Sequence, residues 1–582
     1  MAGNSCSGRG DPLEKNTIQW HYFGKEAVSM KFLRTIPIWV WLIIVAILPL
    51  LSLLTPGLPI THDGPDHVAR IANFYASIQE GIVVPRWAAN LNWGYGHPIL
   101  MFLYPLSSYA ASLFHLLGFS FVDSTKLVFA VGYIASTLAM YLWMRRMFGE
   151  KPAVVGALLY SFAPYRFVDL YVRGAIGEHM AFIFPPLVCY FLLRLSEEKS
   201  IRKNIIFGSG LALSFAGLML AHNAIALMMI PIFILYGIYL LIFESTKKMQ
   251  FIVSSKLSII VGFGLSAFFW VPAFFEGKYT LRDIVTAGEV LERFVPWTHF
   301  FYSPWNFGGT DMLSKSLGIS SLFAILISFF LLKITHDKKN RLFIVVTVLL
   351  LVITLALMTS VSKPIWVALT ILQKFQFPWR FLSVTTILVA LIGSTAAYLL
   401  EQKISKRLFS VLFIGYCSLI IFSTVGMWHP KKYEVRNESA FTGIYMSTTD
   451  TGESSPIWSI RFMEHTPSAS SEVIDGEATI LQTFRSTTKH MYTMTATKPS
   501  RILENTLYFP GWNTYVDGKK TTMQFQDPNF RGLMTYDISP GDHEISIQFE
   551  DTKVRKLANM ISVFSSCILA GLFIITKLWK RK

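Results

Sequence analysis

The sequence predicts a polytopic α-helical membrane protein, a bundle of about twelve helices with an external β-sandwich domain before the last helix. Three observations carry this expectation. Of the 582 residues, 52% are hydrophobic and only 15% charged, where soluble proteins carry about 25% charged residues. Apolar runs recur along the chain at about the 20-residue length that a bilayer demands. Between the last two runs the texture changes, with polar and apolar residues alternating between Gly and Pro turns. The net charge of +16 does not point to nucleic acid, because the basic residues sit mostly in short links between apolar runs and act there as topology signals. The cysteines, Cys6, Cys189, Cys417 and Cys567, form no C-x-x-C and suggest neither a disulfide framework nor a zinc site.

In chain order, residues 1–35 read as a polar cytoplasmic tail. Lys31 and Arg34 precede the first apolar run, an uncleaved anchor with its N-terminus inside. The stretch 99–119 is apolar enough to be a second span, but that assignment throws Arg145 and Arg146 to the outside and inverts every later link. Reading it as an interfacial segment puts 145–146, 194–203, 247–248, 333–341, 403–407 and 577–582 all on the cytoplasmic side. Pro98, Pro105, Tyr104 and Tyr109 suit a surface-lying helix. Further spans are expected near 125–144, 152–165, 180–195, 204–221, 223–243, 253–273, 318–333, 342–359, 380–400, 407–427 and 557–577. With the anchor they make a bundle domain over 36–427, whose large first external loop is 55–124, followed by the last helix. External loops follow at 166–179, 274–317 and 360–379. Residues 428–556 form the external β-sandwich, with Pro510-Gly511-Trp512 and Pro540-Gly541-Asp542 as turns between strands. Both termini are expected in the cytoplasm, the β-domain outside, and the protein in the plasma (inner) membrane.

The unusual chemistry falls on the external side. Thr61-His62-Asp63-Gly64-Pro65-Asp66-His67 places two carboxylates and two imidazoles at the mouth of a helix. Gly64 and Pro65 impose a tight turn that holds Asp63 and His67 close, and a carboxylate near a membrane cavity can serve as a base. Asp63 and Asp66 are alternatively a pair of metal ligands, and a divalent metal is left open. In 165–179, Arg166, Asp169, Arg173 and Glu178 interrupt apolar runs. Four charges at the bilayer centre would cost roughly 10 kcal/mol, so the stretch must line water, a cavity or protein. It is either an interfacial loop with internal ion pairs, or a site where Arg166 or Arg173 meets phosphate and Glu178 is a second acid. Arg86-Trp87 is a ligand contact or an interface anchor. Tyr95, between Gly94 and Gly96, marks a loop around a ligand or a turn. Trp379-Arg380 opens a span, where Arg380 suits an anionic head group or snorkels.

Taken together, Asp63-Gly64-x-x-His67, Gly81-x-x-x-Pro85-Arg86-Trp87, Gly94-Tyr95-Gly96-x-Pro98, Phe102-x-Tyr104-Pro105-Leu106, Tyr165-Arg166, Arg173-Gly174-x-x-x-Glu178 and Phe377-Pro378-Trp379-Arg380 resemble the bacterial membrane family labelled 6-pyruvoyl-tetrahydropterin synthase-related. That family in turn resembles the GT-C fold of polyprenyl-phosphate-dependent glycosyltransferases. The resemblance covers most of 37–427. It implies an acidic residue in the first external loop beside two interfacial helices, to which 67–81 and 99–117 correspond. By it Asp63 takes the catalytic acid/base position; Asp66 has no place in the pattern. No pterin is expected. The soluble enzyme of that name uses a three-histidine zinc site with an H-x-H pair, and none of the 13 histidines forms one.

The resemblance implies transfer of a sugar from a polyprenyl-phosphate donor to a glycan or protein acceptor at the external face, with inversion and retention both open. Asp63, His67 and Glu178 are the candidate catalytic residues; Arg86, Trp87, Tyr95, Tyr165, Arg166, Arg173, Trp379 and Arg380 are the candidates for substrate. Two alternatives stand beside it: a transporter or flippase of lipid-linked saccharide, and a non-catalytic cell-envelope assembly protein.

Overall fold

The computed structural model describes residues 37–578 except 287, 310 and 311. The expected tail 1–35, with Cys6, Lys31 and Arg34, lies outside the described residues, as do 579–582. Among the described residues nine helices are long and apolar enough to cross a membrane, and a bent pair, Glu150–Ser161 with Pro164–Arg173, makes a tenth. Two shorter apolar helices, Ile38–Leu54 and Ile319–Ile334, stand where the remaining expected spans fall.

Side-chain oxygens set several helix starts. Ser120, Asp337 and Ser405 each accept a hydrogen bond from a backbone N–H of the first turn they cap. Pro378–Lys403 runs through the middle of the bundle and is almost wholly buried. Small residues let it close on Glu150–Ser161: a Cβ on Gly156 would fall 2.1 Å from Ser394 Oγ, and one on Gly393 would fall 2.1 Å from Leu159 Cδ1.

The basic links meet at one end of the bundle. Arg146 pairs with Glu197 at 2.9 Å, Lys151 with Glu401 at 3.5 Å and Lys339 with Glu244 at 2.5 Å. Arg202 reaches the Thr576 carbonyl of the last helix at 3.0 Å. The β-domain sits at the other end of that helix, where Arg555 pairs with Glu276 at 2.7 Å.

The stretch 99–119 forms two short helices, Ile99–Phe102 and Leu106–Leu116, broken at extended Leu103 and at Pro105. Neither can span. Gly64–Gln79 is the other helix of the same layer, and its Phe74 meets Tyr109 edge-on at 4.7 Å.

Two expectations need correction. The expected loop 166–179 is not a loop: Val168–Arg173 is a π-helical turn, and Ile176–Glu197 already belongs to the next span. Every residue from 164 to 182 is buried. The charges answer one another inside protein, which removes the cost that made a span look forbidden. The sandwich is also shorter than 428–556. One sheet orders its strands 478–485, 489–496, 541–549, 512–516 and 519–521; the other orders 471–475, 500–507 and 533–538, all antiparallel. Residues 428–445 run back over the bundle instead, and the chain then returns to the sandwich, where Trp458 packs on Tyr508 and Phe525. Tyr433 and Glu434 pair with Pro59 and Leu58, and Phe441 is buried in the bundle's core.

The sandwich core continues into the first loop, since Trp87, Tyr95, Met101 and Phe102 pack with Trp512, Phe509 and Ile547. Glu80, just past Gly64–Gln79, accepts the Thr487 N–H at 2.9 Å at the tip of the 489–496 hairpin.

Candidate functional site

The first loop and the charged turn meet through backbone. The His62 and Asp63 N–H groups donate to the Val172 and Arg173 carbonyls at 3.0 and 2.9 Å. Glycine makes the approach close enough: Gly174 has φ +69°, and a Cβ there would lie 2.2 Å from Thr61 Oγ1. Asp63 is half-buried at the start of Gly64–Gln79, and its carboxylate does not cap the helix. His67 lies one turn on, its N–H bonded to the Asp63 carbonyl at 2.9 Å. Its ring is buried against the Gly174 backbone, and burial, then the charges of Arg70 and Arg173, hold the imidazole well below its ordinary pKa. It is therefore neutral at pH 7, with Nε2 unpartnered.

Behind this turn is a buried ion cluster. Arg173 Nη1 lies 2.5 Å from Asp169 and 2.7 Å from Glu178. Tyr165 donates to Glu178 at 2.5 Å, and the Arg173 guanidinium stands 4.6 Å over the Trp379 ring. Arg380 donates to the Phe375 carbonyl at 2.9 Å and to Gln376 at 3.1 Å, while its Nε is buried without a partner. Glu178 lies in electrostatic reach of both Arg380 and His222.

Tyr104 joins the halves. Its ring stacks on His222 at 4.8 Å and occupies the place of a Gly177 side chain, since a Cβ there would fall 1.9 Å from the ring. Asp63, Arg70, Arg173 and Arg380 all act on it electrostatically. Beside it a cavity opens, lined by His67, Arg70, Tyr104, Ser107, Ser108 and Ile176 among others; Asp63, Arg173 and Glu178 are not on its wall.

The structure thus brings Asp63, His67, Tyr165, Arg173, Glu178, Trp379 and Arg380 to one end of the bundle. It takes four candidates elsewhere. Arg166 is enclosed by the rings of Tyr133, Tyr160 and Phe182, with Ser136 as its hydrogen-bond partner at 2.8 Å. Arg86 holds Asp551 at 3.1 Å and Asn559 at 2.9 Å, Trp87 meets Trp512 edge-on at 5.4 Å, and Tyr95 lies in the sandwich core. These three dock the β-domain, and none of them reaches the Asp63 turn. Asp66 points away from Asp63's partners and accepts the Tyr445 hydroxyl at 3.0 Å; burial raises its pKa against the pull of Arg70 and of that hydrogen bond. Among the described residues no group of three or more His, Cys, Asp and Glu is placed to hold a metal ion.

Sequence reasoning passed over Arg70, Tyr104's keystone position and His222. Arg70 had a signal: residues 67, 70 and 74 recur at helical spacing after Asp63, so one face of Gly64–Gln79 carries these three just past the acid. His222 had a weaker one, a polar His-Asn step between two 21-residue apolar helices.

A model of the 6-pyruvoyl-tetrahydropterin synthase related domain, described as a membrane protein, matches residues 100–431. The chain belongs to this family. A relative from Lactococcus lactis subsp. cremoris (strain MG1363) is 22% identical over 251 residues, and the match spans 41% of this chain and 40% of that protein. Among solved structures, the chain aligns with arabinofuranosyltransferase AftD from Mycobacteria at TM-score 0.41 and 15% identity, over 67% of this chain and 27% of that one. It aligns with the Archaeoglobus fulgidus oligosaccharyltransferase, in complex with Zn and sulfate, at TM-score 0.42 and 13% identity, over 71% and 58% of the two chains. The matched domain begins after Asp63, so the family match does not reach the turn that carries it.

Proposed function

We propose that this family member is a membrane glycosyltransferase that moves a sugar from a polyprenyl-phosphate donor to an acceptor at the β-domain end of the bundle, which faces outward. The single observation that supports this reading most is the pair of backbone hydrogen bonds from His62 and Asp63 to Val172 and Arg173. They fix a half-buried carboxylate beside a buried cluster of opposite charges, at the level of two interfacial helices. Such a carboxylate can take the proton of an acceptor hydroxyl. Neutral His67, one turn away, can accept or relay it. Glu178 lies 2.7 Å from Arg173 Nη1 and orients that cation rather than reacting. Arg173 is taken up by Asp169 and Glu178, and Arg166 is walled in by Tyr133, Tyr160 and Phe182. Arg380, less buried and with an unpartnered Nε, is the sequence-chosen arginine best placed to meet a leaving phosphate.

One observation favours the rival class. The bent pair at 150–173, broken by 47° with charges at the break, is the kind of discontinuous helix on which transporters build their sites. The deciding experiment reconstitutes the purified protein in liposomes with a panel of polyprenyl-phosphate sugars and follows two products. New glycosidic linkage on an added acceptor supports transfer. Saccharide crossing the bilayer with no linkage formed, from any donor, overturns it in favour of transport.

A further inference from the structure

Arg70 is the most exceptional charge in the molecule. It is only 8% exposed, and no hydrogen bond or ion pair of its guanidinium is found among the described residues; its Nε is buried with no partner. The other arginines of this end, Arg166, Arg173 and Arg380, are all satisfied in part by Asp, Glu, Ser or backbone oxygens. Asp66, one turn earlier, lies in electrostatic reach but is bonded to Tyr445 and makes no ion pair with Arg70. A buried cation with no counter-ion in contact is costly. A side chain kept in that condition is one whose counter-ion arrives from outside.

The surroundings say what kind of counter-ion. Arg70 lines the cavity beside Tyr104, with the hydroxyls of Ser107 and Ser108 on the same wall. His67, 4% exposed, is on this wall too, and its Nε2 is buried without a partner. As a neutral ring it can accept from a P–OH or a sugar hydroxyl. This cavity shares Phe74, Leu100 and Pro105 with a second, mainly apolar one that continues past Val84 and Met101 to Phe268 and Phe269, with Arg86 and Tyr109 also on its wall. The Arg86 guanidinium is taken up by Asp551, Asn559 and the Phe268 carbonyl. An anion site at one end and an apolar slot at the other match an amphiphile, not a free inorganic ion.

We propose that the Arg70 pocket seats a lipid-borne phosphate ester, its anionic oxygens on the guanidinium and the first part of its chain against Phe74, Leu100, Phe268 and Phe269. This deepens the transfer reading and rests on it for the identity of the lipid as the sugar carrier. It places the carrier's head between the two interfacial helices, next to Asp63, with Arg380 acting from the other side of the cluster.

The test uses the full chain in phosphatidylcholine nanodiscs and reads binding and thermal unfolding, not turnover. Three probes are added separately: polyprenyl monophosphate, phosphatidylglycerol and inorganic phosphate. Wild type should bind polyprenyl monophosphate and unfold at a higher temperature with it. Arg70→Met should lose roughly 10–100-fold in affinity, as expected for a charge-assisted hydrogen bond. Without ligand it should unfold at the same or a higher temperature than wild type, because an unpaired buried charge has been removed. Ser108→Asp, which supplies Arg70 with an internal partner, should weaken binding as well. Binding of polyprenyl monophosphate alone assigns the carrier lipid, and equal binding of phosphatidylglycerol assigns a bulk phospholipid. Inorganic phosphate binding as tightly as either removes the apolar slot from the proposal and overturns the lipid assignment. Unchanged affinity in both variants overturns the site altogether. If binding follows Arg70 while no sugar transfer is ever seen, the transfer reading fails and the phosphate site stands.

Discussion

Two arginine–carboxylate clusters sit at the same end of this molecule and do different things. At the β-domain seam, Arg555 is shared between Glu276 and the carbonyls of Pro510 and Glu550, while Arg86 holds Asp551, Asn559 and the Phe268 carbonyl. Asn559 in turn donates to Asp551 at 2.8 Å, and no atom of the four charged groups is among the buried orphans. In the bundle, Arg173, Asp169 and Glu178 are as closely paired, yet Asp169 Oδ2, two nitrogens of Arg166, Arg380 Nε and Trp379 Nε1 are buried without partners. A fully satisfied network fixes geometry and asks nothing more of its surroundings. A partly satisfied one, opened toward a half-buried acid, has capacity left for something that is not protein.

The sharpest break between the two should appear in turnover. Asp63→Asn should fold and lose about 10²–10⁴-fold in sugar transfer, whereas Arg86→Gln should keep most of it. Full transfer by Asp63→Asn would show that the comparison picks the wrong carboxylate. Next in size is stability. Arg555→Ala strands Glu276 in the protein interior and should cost about 3–5 kcal/mol, read as a lower midpoint in thermal denaturation in detergent. Joint replacement by Arg555→Met and Glu276→Leu should recover most of it, because the seam is a strut and an apolar strut serves. Gly177→Ala comes third. It pushes a Cβ into the Tyr104 ring and should cost about 1–3 kcal/mol. Turnover should fall further than that of an Ala variant at open Gly237, since Tyr104 would leave His222. The smallest effect is on pH. Burial keeps His67 below its ordinary pKa and holds His97 at about 4. Unfolded, both would protonate near pH 6.5, so the unfolded state binds more protons below that pH and stability falls as the medium is acidified. The slope is at most about 1.4 kcal/mol per pH unit for each ring, and His67→Gln should flatten its share of the melting-temperature profile between pH 6.5 and 5.

What the sequence revealed and what it hid divide along a physical line. Span positions, the break at Pro105 and the alternating texture of 489–496 and 541–549 are local patterns of hydrophobicity and backbone preference, and they could be read directly. The fate of Arg166 and Arg173 could not. A hydropathy scale charges each ion the cost of meeting lipid, and cannot see that Asp169 and Glu178 are folded onto Arg173 within 2.7 Å. Arg86, Trp87 and Tyr95 looked like ligand contacts because Arg and aromatics serve both ligands and interfaces. Their partners, Asp551, Trp512 and the strands around Leu507, lie more than 400 residues away in the chain, beyond any pattern a window can hold. Arg70 was within reach of helical periodicity; its missing partner was not, because absence of a contact is written nowhere in a sequence.

Gly64–Gln79 is fastened at both ends: by the Val172 and Arg173 carbonyls just before its first turn and by the Glu80–Thr487 contact just after its last. Its 16 residues make a rod of about 24 Å. In mechanical terms it is a tie bar between the sandwich and the Asp63 turn. A force applied to the hairpin tip at 486–488, by an acceptor leaning on the sandwich or by a pull on the bilayer, is delivered to the turn unless the Glu80 joint gives way first. The two ends of this bar cannot be tuned separately, and a change that loosens the sandwich alters the aim of the carboxylate.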